Sequence, residues 1–210
     1  MQIKKSIITG GAGFIGQHLS KLLLKKKIST SVIDKISKSK YKNNHKLFDN
    51  KKLKFLKVNL DKPIKKRLSN FSHVFHLAAS LGVKNINKNP YKSFKNNINS
   101  LLNLINNLKK NSPNCVLIYF STSEVYSPLI QKKKIKIPTK ENIDLLVNEK
   151  VINRDSYYLS KLIGEKIVQL SGLRFIILRP HNIYGPFMGY RHVISELIKR
   201  MNSKDKICKI

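Results

Sequence analysis

Tyr157 and Lys161 stand four residues apart in Tyr157-Tyr158-Leu159-Ser160-Lys161. On a helix that spacing puts both side chains on one face. A phenol titrates near pH 10 and is a poor base at neutrality, but a neighbouring cation stabilises the phenolate and lowers that value. Such a base can take a hydroxyl proton while hydride leaves the carbon that bears the hydroxyl. Ser121-Thr122-Ser123-Glu124-Val125-Tyr126 follows an apolar run, and a hydroxyl there can share the proton with Tyr157. Taken alone, a Tyr-x-x-x-Lys pattern equally describes an exposed helix face, and a Ser/Thr run equally describes an ordinary turn.

A hydride needs an acceptor. Thr9-Gly10-Gly11-Ala12-Gly13-Phe14-Ile15-Gly16 carries glycines at 10, 13 and 16. In a strand–turn–helix setting the first permits a tight turn, the second lets backbone approach a pyrophosphate, and the third lets helix and strand pack closely. The anion then meets the free N–H groups and positive dipole end of the helix. Asp34 ends the next apolar run, where a carboxylate accepts from an adenosine ribose diol and repels a 2′-phosphate. The expectation is NAD rather than NADP, softened by Lys35 and Lys38. The alternatives are a structural glycine turn and a solvated strand-end Asp.

The elements that must hold these groups alternate along the chain. Ile3–Thr9 reads as a buried strand, then a helix from Phe14 to Leu24 and a short strand Thr30–Ile33. The polar stretch Lys35–Lys52 reads as a surface loop with a helical turn. Leu53–Leu60 is a third strand, Pro63 can open a short helix through Leu68, and His73–Ala78 is a fourth strand. Phe94, Ile98, Leu101, Leu102, Ile105 and Leu108 recur at a helical period. Cys115–Phe120 is a fifth strand, continuous and apolar as in a sheet covered on both faces. After a long basic connection, Lys132–Asn153, come a helix Tyr157–Leu170 with a Lys161/Glu165 pair at i, i+4, a strand Phe175–Leu178 and a last helix His192–Met201. Strands alternating with helices predict an α/β fold, a doubly wound parallel sheet with flanking helices.

Composition sets limits. The chain has 210 residues, 41% of them hydrophobic, which suffices for a buried core. No run of about 18 apolar residues exists, so no transmembrane helix is expected. Met1 leads straight into a strand, without a signal-peptide pattern. Cys115 and Cys208 are the only cysteines, too few for a disulfide framework or a zinc site, and a reducing cytoplasm fits. Cys115, His76 and His181 read as packed residues, and no metal is expected. Lys plus Arg number 42 against 11 acidic residues, a net charge of +31. The excess is lysine spread over loops and helix faces, with arginine only at 67, 154, 174, 179, 191 and 200. That pattern describes a solvated surface more than a nucleic-acid reader, which leans on arginine's planar fork. No specific nucleic-acid partner is expected.

Together the motifs resemble the extended short-chain dehydrogenase/reductase superfamily, in particular its NAD-dependent nucleotide-sugar epimerases, dehydratases and decarboxylases. The resemblance rests on the glycine turn, His76-Leu77-Ala78-Ala79, Asn97, Ser121 to Tyr126, Tyr157 to Lys161, and Arg179-Pro180-His181-Asn182-Ile183-Tyr184-Gly185-Pro186 in that order. It implies a Rossmann-like fold and these roles: Gly10, Gly13, Phe14, Ile15 and Gly16 at the pyrophosphate, Asp34 at the ribose, and Asn59 and Leu60 at adenine. Leu77, Ala78, Ala79, Asn97 and Ser121 would line or support the dinucleotide. Tyr157 would be the base, Lys161 its partner at the nicotinamide ribose, and Thr122 the catalytic hydroxyl, with Glu124 beside it. Thr122, Asn182, His192 and Val193 would meet the nucleotide sugar.

The resemblance further implies oxidation at sugar C4 to a 4-keto intermediate. Glu124 recurs in relatives that do proton chemistry on that ketone. Ser123 stands where 4,6-dehydratases usually carry Asp. Epimerisation is therefore the first expectation, and uronate decarboxylation or dehydration the alternatives. Relatives of this kind run longer. The expectation is a cofactor half over residues 1–180 and only the start of a substrate region over 181–210, with most of that region missing. Such a chain is either an enzyme, homodimeric in its full-length form through helices corresponding to Phe94–Lys110 and Tyr157–Leu170, or a dinucleotide-binding fragment without turnover.

Overall fold

The computed structural model describes residues 2–36, 47, 50–80, 87–186, 188 and 193–201. Most of the Lys35–Lys52 loop, and His192, lie outside the described residues. Six strands form one sheet: β1 (Lys5–Thr9), β2 (Ser29–Asp34), β3 (Leu53–Lys57), β4 (His73–His76), β5 (Val116–Phe120) and β6 (Arg174–Leu178). Every pairing is parallel, in the order β3-β2-β1-β4-β5-β6. The helices are α1 (Phe14–Lys25), α2 (Pro90–Asn111), α3 (Ser127–Gln131), α4 (Asp155–Leu170) and α5 (Val193–Met201). The strand order reverses at β1, since β2 lies on one side of it and β4 on the other. A crevice therefore opens beyond the carboxyl ends of β1 and β4, where open α/β sheets take ligands. The doubly wound parallel sheet expected from the alternation is the fold observed. No described helix is long and apolar enough to cross a membrane.

Neighbouring strand residues face opposite sides, and Ile7 and Ile8 divide the core accordingly. Ile7, Ile33, Val74 and Leu117 meet Leu101, Leu104 and Leu108 of α2 and Val168 of α4. Ile8, Val32 and Leu53 meet Leu23 of α1. Leu104 is completely buried, and burying one such side chain is worth about 1.5–3 kcal/mol. At β6 the covering thins. Phe175, Ile176 and Leu178 are 42%, 48% and 40% exposed on this edge strand.

Two expectations need correction. The helix from Pro63 to Leu68 does not form. Its backbone is satisfied instead by side chains of α2 and of the turn after it. Asn107 Nδ2 donates to Ile64 O at 3.1 Å and to Lys66 O at 2.9 Å, and Asn107 Oδ1 accepts from Leu68 N at 3.1 Å. Ser112 Oγ donates to Leu68 O at 2.9 Å and accepts from Phe71 N at 3.1 Å. With these partners supplied from outside, the segment needs no helical bonds of its own. The third strand also stops at Lys57, and residues 58–60 bend into the crevice, where Asn59 Oδ1 caps Asp61 N at 3.1 Å.

Candidate active site

The crevice floor is the glycine turn. A Cβ on Gly16 would stand 2.5 Å from Gly11 Cα and 2.6 Å from Gly10 O, and one on Gly10 would stand 2.8 Å from Ala78 Cα. Both glycines are demanded by the protein's own packing. A Cβ on Gly13 would meet only Gly10 O, at 3.2 Å. Its bare edge is open, and Gly13 lines the crevice. Helix α1 starts there with no side-chain cap and no acidic residue in its first turn. The amides of that turn, Phe14 and Ile15 among them, lack intrahelical acceptors by helix geometry. An uncapped, positively polarised helix end beside a side-chain-free surface fits a pyrophosphate. The Phe14 ring itself turns away, edge-on to His18 at 5.3 Å.

Asp34 holds this floor in place. Its Oδ2 accepts from Ala12 N and its Oδ1 from Ile36 N, both at 3.2 Å. Each carboxylate oxygen keeps a lone pair for a diol. Asp34, Asn59, Leu60, Leu77, Ala78, Ala79 and Asn97 all line the same crevice with Gly10 and Gly13. The Leu77–Ser80 wall is fixed from beneath. Leu77 N donates to Thr9 O at 3.1 Å, Ala78 N to Thr9 Oγ1 at 3.3 Å and Ser80 N to Asn97 Oδ1 at 2.6 Å. Thr9 Oγ1 also meets His76 Nδ1 at 2.7 Å. His76 is buried, stacks on Tyr119 at 5.9 Å, and burial holds its pKa down to about 3. It is a neutral packed residue, as read from sequence.

Tyr157, Lys161, Thr122 and Glu124 do not line this crevice; α4 and the β5 exit bring them near one another, tied to the crevice wall through Asn97. Asn97 Nδ2 donates to Ser160 Oγ at 2.9 Å, and Ser160 Oγ donates to Tyr157 O at 2.7 Å, so α2 locks the first turn of α4. Lys161 is 3% exposed. Its Nζ donates to Phe120 O at 2.6 Å and lies 5.1 Å from the Tyr119 ring centroid. Burial pushes that ammonium down to about 8. Thr122 Oγ1 accepts from Glu124 N at 3.2 Å, which leaves the Thr122 hydroxyl hydrogen free to turn toward Tyr157.

The Tyr157 phenol does not follow the simple expectation of a lowered pKa. Burial, and then the Glu124 carboxylate, push it up to about 12, while the Thr122 hydroxyl pulls it down. Lys161, held at about 8, has lost its proton before a phenol near 12 gives up its own, and so does not lower it. The expected Lys161/Glu165 pair is likewise absent. Glu165 faces Arg179 instead, with Nε–Oε1 at 2.9 Å and Nη2–Oε2 at 2.8 Å. Helical spacing made the pair plausible, but tertiary contacts gave each partner a better one.

Ser121 is not on the crevice. Its hydroxyl donates to Glu165 Oε1 at 2.5 Å. Asn182 stands exposed on the segment after β6, and Val193 opens α5. Sequence reasoning missed the roles of Glu165, Arg179 and Ser80. The available signal was a carboxylate on the face of α4 that carries Lys161, which a buried helix face tolerates only when paired. Among the described residues, no group of three His, Cys, Asp or Glu is placed to hold a metal.

The profile described as "NAD dependent epimerase/dehydratase family" matches residues 6–210. A UDP-N-acetyl-alpha-D-glucosaminuronate decarboxylase of Bacillus cytotoxicus is 35% identical over 187 residues, covering 87% of this chain and 56% of that protein. UDP-glucuronic acid decarboxylase 1 of Arabidopsis thaliana is 30% identical over 87% of this chain and 40% of its own. Among solved structures, a UDP-N-acetylglucosamine 4-epimerase of Methanobrevibacter ruminantium superposes with a TM-score of 0.76 at 28% identity, covering 96% of this chain and 63% of that one. The chain thus spans about half the length of these curated relatives.

Proposed function

Because this chain belongs to the NAD dependent epimerase/dehydratase family, we propose that its site oxidises a nucleotide-linked sugar at C4 and returns the hydride to the opposite face, an NAD-dependent epimerisation. The observation that carries the reading is the convergence of Tyr157, Thr122 and buried Lys161 at the β5 exit, beside a crevice floored by Gly10 and Gly13. Residues 1–180 form the cofactor half in this reading, and residues 181–210 begin the substrate region with Asn182, His192 and Val193. Gly13 and the first turn of α1 hold the pyrophosphate, Asp34 the ribose diol, and Asn59 and Leu60 the adenine. Bound NAD supplies the hydride acceptor.

Tyr157 takes the proton of the C4 hydroxyl while C4 loses hydride, and Thr122 donates to the same oxygen. The Tyr157 phenol starts near 12, so it needs positive charge beside it to act at neutrality. At neutral pH the Lys161 ammonium would supply such charge through the N–H donors it does not use on Phe120, and NAD in its oxidised form would add to it when bound. When hydride returns to C4, Tyr157 gives the proton back. In this reading the full-length form is a homodimer, and the cytoplasm is the compartment.

A second reading is decarboxylation of a nucleotide-linked uronate, and Glu124 favours it. Simple hydride return asks nothing of a second carboxylate, whereas loss of carbon dioxide next to a ketone leaves an enolate that must be protonated. The two curated relatives named above are uronate decarboxylases.

The test is to titrate the purified chain with NAD and NADP, then assay UDP-glucose and UDP-glucuronate, with Tyr157→Phe in parallel. We expect micromolar NAD binding retained in Tyr157→Phe and turnover lost by at least about a hundredfold. UDP-galactose as the product indicates epimerisation, and carbon dioxide indicates decarboxylation. NAD binding without turnover would leave a dinucleotide-binding domain. Full activity in Tyr157→Phe would refute the mechanism.

A further inference from the structure

Glu165 lies one turn beyond Lys161 on α4 and is 1% exposed. Its carboxylate accepts from Ser121 Oγ at 2.5 Å and from both arms of the Arg179 fork at 2.9 and 2.8 Å. Arg179 turns its remaining nitrogen to Tyr126 OH at 2.5 Å and to Glu141 O at 3.1 Å, and its guanidinium lies 5.1 Å from the Tyr126 ring centroid. Five segments meet at this pair: the β5 exit, the 3₁₀ turn Ser123–Tyr126, the 132–153 connection, α4 and the β6 exit.

Each of the segments bearing a reacting group hangs on it. Ser121 precedes Thr122, Tyr126 closes the turn that holds Glu124, and Glu165 shares its helix with Tyr157. A buried ion pair adds little net stability because desolvation offsets its attraction. A two-pronged fork does fix geometry.

We propose that Glu165 and Arg179 are positioning residues: the fork sets where Thr122 and Glu124 stand relative to the Tyr157 phenol. The proposal rests on the role given to Tyr157 above. Neither residue lines the crevice floored by Gly10 and Gly13. The dinucleotide crevice, built on β1, β2 and β4, is independent of the pair.

The test uses the 210-residue chain with ring-¹³C tyrosine, the Tyr157 signal being the one lost in Tyr157→Phe. Arg179→Lys keeps the charge and loses the fork, Arg179→Met loses both, and Thr122→Val marks the signal of a phenol without its hydroxyl partner. We expect both Arg179 variants to move the Tyr157 signal in the direction of Thr122→Val while NAD affinity stays within about twofold. With UDP-glucose or UDP-glucuronate, kcat falls about a hundredfold in Arg179→Met and about tenfold in Arg179→Lys, with KM within about threefold. Should Arg179→Met fail to fold, Arg179→Lys decides by the same criteria. A Tyr157 signal unmoved in a folded, NAD-binding Arg179 variant overturns the proposal, as does an unchanged kcat. Absence of turnover in the unmodified chain overturns the preceding section alone, and the Tyr157 signal then decides the pair.

Discussion

Replacing Lys161 with methionine tests whether its ammonium is truly dry. Burial holds that group at about 8 against an ordinary 10.5, and the unfolded chain keeps the ordinary value. Between those two pH values the unfolded state binds a proton that the folded state does not. Stability contributed through this group therefore rises with pH across the window. Below pH 8 both states are protonated and the fold carries the full cost of a buried charge. Above 10.5 neither is, and the cost is gone. At about 1.4 kcal/mol per pH unit the span is worth on the order of 3 kcal/mol. The remaining lysines titrate alike in both proteins, so the difference between parent and Lys161→Met isolates the effect. Urea unfolding at pH 7 and pH 11 measures it. The parent should gain about 3 kcal/mol on the variant over that range. At pH 7 Lys161→Met should be the more stable, by an amount reduced by the lost bond to Phe120 O, itself worth about 1.5–3 kcal/mol as a bond from a charged donor. A difference that does not change with pH would mean that water reaches the ammonium, and the account of the β5 exit as a sealed seat for Lys161 would fail.

Two further outcomes are expected. Gly16→Ala drives a Cβ to within 2.6 Å of backbone atoms of Gly10 and Gly11, so α1 must move; thermal unfolding should show a loss of about 1–3 kcal/mol and NAD titration a weakened cofactor site, whereas a variant with both unchanged would remove the packing argument for the turn. Glu124→Gln removes the carboxylate that helps push the Tyr157 phenol up, so the rise of turnover with pH should begin at lower pH; a rise displaced to higher pH would contradict the assigned electrostatics.

The parts of this molecule legible in its sequence were those governed by nearby residues. The glycine turn, the strand alternation and the i, i+4 spacing of Tyr157 and Lys161 each encode a local geometry, and the sheet follows from their repetition. What the sequence hid was partner choice. Lys161 and Glu165 look like a helical pair, yet one goes to a strand-end carbonyl and the other to Arg179 across the chain. Pro63 looks like a helix start, yet Asn107 and Ser112 supply that segment's bonds from α2 and its C-terminal turn. The Tyr157 phenol was misjudged for the same reason. Spacing revealed the lysine one turn on but not the burial and the Glu124 carboxylate that raise the phenol.

The half-covered β6 bears on how copies of this chain behave toward one another. Among the described residues β6 pairs with β5 alone, and an edge strand with apolar side chains such as the exposed Phe175, Ile176 and Leu178 is a template for a second strand. Opposing this is the +31 charge, which makes every approach between two copies an approach of like charges. The protection is a property of the solvent as much as of the protein. At low ionic strength repulsion acts over tens of ångströms, while at molar salt it is confined to about 3 Å, less than the spacing between two paired strands. Colloidal behaviour, unlike folding, is thereby handed to the counter-ions.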